Sequence, residues 1–85
     1  MKTEKLVVYG APWCGDCVRA KHILKKHSVP HTWIDISEDT EAVTKVKNIN
    51  GGLQIIPTLI FPDGSVLVEP SNPELLKKLE ALSMI

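Results

Sequence analysis

A continuous apolar run at residues 6–9, Leu-Val-Val-Tyr, constrains the fold of this chain more than any other stretch. Its residues favour β structure, and a strand without polar alternation is buried on both faces, which is typical of a central strand with a parallel neighbour. Gly10 and Pro12 end the run, and a helical pattern of apolar residues follows over residues 14–27. The sequence therefore predicts a strand followed by a helix that crosses over to a neighbouring strand.

The next two elements complete this crossover unit. Pro30 ends the first helix, and the apolar and β-branched residues at positions 32–36 predict the second strand. Ser37 is predicted to cap a second helix, which ends at the Asn-Gly-Gly of residues 50–52 because these residues tolerate positive φ. Since such crossovers are right-handed, we expect the first two strands to be parallel neighbours.

The rest of the chain predicts a hairpin and a helix. Residues 58–61 and 66–68 favour strands, and the Pro-Asp-Gly-Ser between them is a turn signal. Asn72 is predicted to cap the final helix, with Pro73 at its first position. The predicted fold class is α/β, in the order β-α-β-α-β-β-α, with a four-stranded mixed sheet flanked by three helices. We expect a single domain over residues 1–85.

The composition narrows the classes of function. The chain has 85 residues, of which 10 are Lys or Arg and 10 are Asp or Glu, so it lacks the basic excess that holds a phosphate backbone. We therefore expect no nucleic-acid partner. Its apolar runs are too short for a membrane-spanning helix or a signal-peptide core, so we expect a cytoplasmic protein with no membrane partner. Thiols stay reduced in that compartment, which makes a structural disulfide unexpected.

The only two cysteines, Cys14 and Cys17, follow the first strand and open the first helix. The positive end of a helix favours the thiolate, which is the form that attacks disulfides. Cys14 is therefore the candidate nucleophile, and Cys17, one helical turn further, can attack a mixed disulfide formed at Cys14. Gly15 keeps the turn open for a bulky partner, and Asp16 places a negative charge between the two sulfurs.

Two other interpretations of the cysteine pair stay open. A zinc site needs four ligands, and the set that resembles a zinc finger is Cys14, Cys17, His27 and His31. Its gap between the second cysteine and the first histidine is shorter than in that pattern, and Pro30 separates the two histidines. An inert pair of buried cysteines is the second alternative. We expect no metal site.

Two residues outside the cysteine pair also bear on the site. Trp13 is a candidate contact surface beside the first thiol. Pro57 stands at the entry of the third strand, where a proline costs a ladder hydrogen bond. Because most peptide bonds before proline are trans, the sequence taken by itself predicts a trans bond at Pro57.

Taken together, the ordered motifs resemble the thioredoxin fold, and its glutaredoxin and mycoredoxin branch in particular. The motifs that carry the resemblance are Trp-Cys-Gly-Asp-Cys at residues 13–17, Asn-Gly-Gly at 50–52, Ile-Pro-Thr at 56–58, Phe-Pro-Asp-Gly-Ser at 61–65 and Pro-Ser at 70–71. The resemblance implies a thiol–disulfide oxidoreductase that reduces protein disulfides, or mixed disulfides between a protein and a small thiol. It leaves open whether Cys17 or a small thiol resolves the intermediate formed at Cys14.

The resemblance also implies how a substrate is held. In that fold the proline matching Pro57 is cis and faces the active cysteine, and the Ile56 backbone N–H and C=O pair with the backbone of a bound thiol peptide. The implied substrate-binding residues are Trp13, Gly15, Asp16, Ile56, Pro57, Thr58 and Ser71.

Departures from the family pattern bear on the electron donor. Glutathione-using glutaredoxins carry a lysine where this chain has Ala11, and a Gly-Gly stretch where residues 69–73 read Glu-Pro-Ser-Asn-Pro. The resemblance to mycoredoxins therefore favours mycothiol or another small thiol over glutathione, or direct reduction by a flavin reductase. It implies a monomer without a bound cofactor. The alternative that it leaves is an iron–sulfur or metal-binding relative, in which Cys14 helps to bridge a cofactor between two chains.

Overall fold

The computed structural model describes residues 6–85, and its elements follow the predicted order. The strands are β1 (Leu6–Gly10), β2 (His31–Asp35), β3 (Thr58–Ile60) and β4 (Val66–Val68), and the helices are α1 (Gly15–Lys26), α2 (Thr40–Ile49) and α3 (Asn72–Ala81). β2 lies one residue earlier than predicted, and β3 ends one residue earlier. The predicted α/β fold class is confirmed. None of the helices within residues 6–85 is both long and apolar enough to span a bilayer.

β1 is the central strand that its apolar run predicts. The strand order is β2-β1-β3-β4, with β1 parallel to β2 and antiparallel to β3. β3 and β4 form the predicted antiparallel hairpin. Val8 is fully buried and is paired with Trp33 of β2 on one side and with Leu59 of β3 on the other. The carboxyl end of β1, from which the chain enters α1, is therefore flanked by a strand on each side.

The two faces of the sheet carry separate cores. α1 and α3 cover one face, where Leu24, Leu59 and Leu79 are fully buried in the larger cluster of apolar side chains. α2 covers the other face, where Val46 packs in a smaller cluster with Tyr9. Because α1 directly follows β1, its first turn lies at the carboxyl edge of the sheet, where open α/β sheets place their sites.

Asp39, rather than the predicted Ser37, caps α2. The Asp39 carboxylate accepts hydrogen bonds from the N–H groups of Glu41 and Ala42, at 3.0 and 3.2 Å. The prediction was wrong because Ser37 is engaged elsewhere. Its N–H and hydroxyl both donate to the Asp35 carboxylate in the turn that follows β2.

Ser71, rather than the predicted Asn72, caps α3. The Ser71 hydroxyl accepts a hydrogen bond from the Glu74 N–H at 3.2 Å, and the Glu74 carboxylate accepts one from the Ser71 N–H at 2.8 Å. This reciprocal arrangement needs a glutamate or glutamine three residues after the cap. Ser71 meets the condition, whereas Leu75 stands three residues after Asn72. Pro73 remains within the first turn of the helix.

Candidate active site

Cys14 lies at the junction of β1 and α1 and is the N-cap residue of the helix. Its backbone is extended, with φ of −88° and ψ of 114°, and its sulfur accepts a hydrogen bond from the Cys17 N–H at 3.3 Å. The side chain is partly exposed and the cysteine is reduced. A backbone N–H and the positive end of the helix dipole therefore both act on this sulfur, and both stabilise negative charge there.

Cys17 lies one turn further along α1 and is fully buried. Burial is the main reason why its pKa is raised from 9.0 to about 12, and the hydrogen bond of its thiol to the Cys14 side chain raises it further. The negative charges of Cys14 and Asp16 act in the same direction. Cys17 thus keeps its proton at neutral pH, beside a sulfur that is reachable from solvent.

Gly10, the last residue of β1, leaves the space that Cys17 occupies. A Cβ atom added at Gly10 would lie 3.0 Å from the Cys17 sulfur and 2.8 Å from Cη2 of Trp33. Both distances are shorter than ordinary van der Waals contacts between such atoms. The buried thiol can therefore rest against the end of β1 because Gly10 has no side chain.

The Ile56–Pro57 peptide bond is cis, which corrects the trans bond predicted from base rates and confirms the isomer implied by the resemblance. The Cys14 thiol points at the Ile56 carbonyl oxygen, with 4.0 Å between the two atoms. The β1–β3 pairing ends at Tyr9 and Thr58, so the Ile56 backbone lies beyond that ladder. The Ile56 carbonyl thus flanks the partly exposed sulfur.

Hydrogen bonds of the Thr58 hydroxyl hold the segment around Ile56 in place. Thr58 is fully buried, and its hydroxyl donates to the Ile55 carbonyl at 2.7 Å. The Asn50 side-chain amide donates to the Thr58 hydroxyl at 3.2 Å and to the Val46 carbonyl at 2.9 Å. The carboxyl end of α2 is thereby tied to the backbone that faces Cys14.

The three residues adjoining Cys14 are exposed. Trp13 is 68% exposed, and nothing lies within 4 Å of the position that a Cβ atom of Gly15 would occupy. The Asp16 carboxylate is 53% exposed and lies 3.5 Å from the Arg19 guanidinium. The predicted residues before and after Cys14 thus form an open, partly apolar surface near the sulfur.

Ser71 is exposed at the start of α3, where its side chain serves as the helix cap. The segment before it is held against α1, because the Arg19 guanidinium donates to the Pro70 carbonyl at 3.1 Å. Arg19 also lies 3.5 Å from the Asp16 carboxylate. Its spacing of three residues from Asp16 is the signal in the sequence for the ion pair, whereas the contact with Pro70 depends on the packing of α1 beside α3.

No three His, Cys, Asp or Glu side chains within residues 6–85 come together as a possible metal site. The zinc interpretation requires four such ligands. The described part of the chain therefore does not join the cysteine pair to His27 and His31.

A family model described as Glutaredoxin matches residues 6–67, a span that begins at β1 and includes both cysteines and the Ile56–Pro57 segment. The chain belongs to the glutaredoxin family.

Relatives support this assignment over nearly the whole length of the chain. A protein of Mycobacterium tuberculosis with a provisional glutaredoxin name is 38% identical over 79 residues, which cover 93% of this chain and 94% of the relative. Mycoredoxin 1 of Corynebacterium glutamicum is 33% identical over 81 residues, covering 94% and 99% of the two chains. The predicted resemblance to glutaredoxins and mycoredoxins is thereby confirmed.

Solved structures agree on the fold. A thioredoxin-like protein matches with a TM-score of 0.73 and 29% identity, covering 89% of this chain and 99% of that protein. A glutaredoxin from Methanosarcina mazei matches with a TM-score of 0.69 and 24% identity, covering 92% and 77%. The thioredoxin fold that the resemblance implies is therefore confirmed for this glutaredoxin-family chain.

Proposed function

We propose that this glutaredoxin-family protein is a thiol–disulfide oxidoreductase whose nucleophile is Cys14. One observation carries the proposal: the two sulfurs have opposite environments one helical turn apart. Cys14 is partly exposed and accepts a backbone hydrogen bond, whereas Cys17 is fully buried and holds its proton. Family membership supports the same chemistry.

In the first step the Cys14 thiolate attacks one sulfur of the substrate disulfide. A bond forms between the Cys14 sulfur and that sulfur, and the original S–S bond breaks. The second substrate sulfur leaves with the bonding electron pair and takes up a proton. The product is a mixed disulfide between Cys14 and the retained half of the substrate.

In the second step the Cys17 sulfur, after losing its proton, attacks the Cys14 sulfur and displaces the retained half as a thiol. The protein is left with a Cys14–Cys17 disulfide, and the substrate has gained two electrons and two protons. In a monothiol route a small thiol would attack instead, and Cys17 would be dispensable. Burial of Cys17 keeps its thiol protonated in the resting protein, so the dithiol route requires that this proton be lost before Cys17 attacks.

The backbone of Ile56 is the proposed docking edge for the substrate peptide. Its carbonyl lies 4.0 Å from the Cys14 sulfur and outside the β1–β3 ladder, a position suited to pairing with an added strand. Trp13, Gly15 and Asp16 would supply the contact surface on the other side of the sulfur. The remaining proposed binding residues, namely Pro57, Thr58 and Ser71, would act by shaping the two segments that border it.

The proposed electron donor is a small thiol, with mycothiol first and glutathione second, or a flavin reductase. The 33% sequence identity to mycoredoxin 1 supports mycothiol as the electron donor. Ala11 and the glycine-free segment at residues 69–73 support the same donor. We propose that the protein acts as a monomer in the cytoplasm, on protein disulfides or on mixed disulfides between a protein and a small thiol.

The test is a turnover assay on a cysteine peptide capped with mycothiol or with glutathione, with each donor system coupled to NADPH consumption. We expect turnover by the parent protein and only the uncatalysed rate with Cys14→Ser, with both proteins equally folded by circular dichroism. Cys17→Ser separates the two routes, since retained turnover indicates the monothiol route. Full activity of Cys14→Ser would refute the assignment of the nucleophile.

A further inference from the structure

A groove of about 340 Å³ lies along α1, and one of its lining residues, Pro12, stands two positions before Cys14 in the sequence. The proposed mechanism makes no use of it. Its lining combines apolar walls with basic side chains, supplied by Pro12, Val18, Lys21, His22, Lys25 and Trp33.

The strand order separates this groove from the docking edge at Ile56. Trp33 belongs to β2, whereas Ile56 leads into β3, and these two strands lie on opposite sides of β1. Cys14 follows β1 and so lies between them. A substrate that pairs with Ile56 on one flank of the sulfur leaves the groove free on the other flank.

The groove carries positive charge from two lysines of α1. Lys21 and Lys25 are one helical turn apart and so point to the same side of α1. The Lys21 ammonium lies 4.5 Å from the centre of the Trp33 ring, which holds it over the groove. Asp16 is the only acidic residue in α1, and it faces Arg19 at 3.5 Å.

The apolar walls are open to a partner. Val18 is 52% exposed although it is a large aliphatic residue, and Trp33 is only partly buried. Pro12 continues this surface towards the exposed Trp13 and the reactive sulfur. Charge and apolar surface together suit a peptide segment that has both carboxylates and aliphatic groups.

We propose that this basic groove binds an acidic segment of the protein substrate, next to the disulfide that Cys14 attacks. The inference rests on the proposed function and extends it by naming a class of substrate. Carboxylates of the segment would pair with Lys21 and Lys25, and its aliphatic groups would cover Val18. Such complementarity raises the rate of encounter more than the affinity, so acidic substrates would react faster.

The test compares single-turnover reduction of two pairs of cysteine peptides by the pre-reduced protein, which itself supplies both electrons. Each peptide is capped as a mixed disulfide with mercaptoethanol. Each pair consists of an acidic peptide and a twin in which glutamines replace the glutamates. The run of glutamates precedes the cysteine in one pair and follows it in the other. At low ionic strength we expect one acidic peptide to react about tenfold faster than its twin, within the range of electrostatic steering. High salt should remove the difference.

Variants locate the effect. Lys21→Gln with Lys25→Gln should abolish the preference for the acidic peptide. The matched control is Lys45→Gln with Lys47→Gln, which removes the same charge from α2 on the opposite face of the sheet and should keep the preference. Lys21→Glu with Lys25→Glu should invert the preference.

The outcomes are distinguishable. A parent protein that reduces none of the four peptides overturns the proposed function, and this inference with it. If the parent protein reduces each acidic peptide and its twin at equal rates, the proposed function stands, but the proposal that the groove binds an acidic segment is overturned. Equal loss of the preference in the α2 control also overturns it, because the effect would then come from net charge alone.

Discussion

At the scale of single residues, two chemically identical thiols are made different by their surroundings. Cys14 is partly exposed at a helix N-terminus, while Cys17 is buried and its pKa is raised to about 12. Their positions could be predicted, because spacing along a helix fixes which sulfur lies deeper. The role of Gly10 could not be predicted, since it depends on contacts with residues 17 and 33 that only the fold brings together.

Gly10→Ala should lower the free energy of unfolding by about 1–3 kcal/mol, the usual cost of forcing an extra methyl group into a packed core. The added methyl would press on Trp33 and on the Cys17 sulfur. Gly15→Ala is the matched control, because its methyl group would enter open space and should leave stability unchanged or slightly higher. Urea unfolding measures both variants. Equal effects of the two substitutions would contradict the packing argument.

The raised pKa of Cys17 predicts how stability depends on pH. Below about pH 9 both the folded and the unfolded chain hold this proton, so its contribution to stability is complete. Between about pH 9 and 12 the unfolded chain releases the proton while the folded chain retains it. The unfolded state then binds fewer protons, and the free energy of unfolding falls as pH rises.

Urea unfolding across this pH window should show a steeper fall for the parent protein than for Cys17→Ala. The variant lacks the titrating group but keeps the other groups that ionise in the same range, so the difference between the two slopes isolates Cys17. Parallel slopes would mean that burial does not hold the proton on this thiol.

At the scale of elements, the caps fix where each helix begins and so where the bordering segments lie. The element types could be predicted from apolar runs and helical spacing. The cap of α2 could not, because Asp35 competes for Ser37. The cap of α3 could have been predicted, because a glutamate stands three residues after Ser71 and a leucine three residues after Asn72. The Ile56–Pro57 bond is cis although most peptide bonds before proline are trans, and only the family resemblance predicted this isomer correctly.

Ser71→Ala should destabilise the protein by about 1 kcal/mol, as the loss of an N-cap commonly does. Asn72→Ala, the neighbouring control, should change stability far less because the Asn72 side chain is not the cap. Thermal unfolding monitored by circular dichroism compares the two variants. A larger loss of stability in Asn72→Ala than in Ser71→Ala would show that Asn72, the residue predicted from the sequence, is the cap.

At the scale of the whole molecule, the sheet separates two layers whose apolar clusters differ in size. Within residues 6–85 the α1–α3 side buries ten apolar residues in its cluster, whereas the α2 side buries four. The cysteine pair belongs to the layer with the larger cluster, while the Ile56 segment is tied through Thr58 and Asn50 to the layer with the smaller one. We therefore expect the proposed docking edge to open more readily than the cysteine pair.

Native-state hydrogen exchange should reveal this asymmetry. We expect amides in the middle of α2, such as that of Val46, to exchange through openings of lower free energy than the amide of Leu24 in α1, because less apolar surface is buried beneath α2. Equal opening energies for the two helices would show that the layers unfold as one unit.

The account depends most on the claim that Cys14, and not Cys17, presents the reactive sulfur. Limiting iodoacetamide added to the reduced, folded protein at neutral pH, followed by peptide mapping by mass spectrometry, measures this directly. We predict that Cys14 is modified first and that Cys17 stays unmodified until the chain is unfolded. Modification of Cys17 as fast as Cys14 would contradict the account.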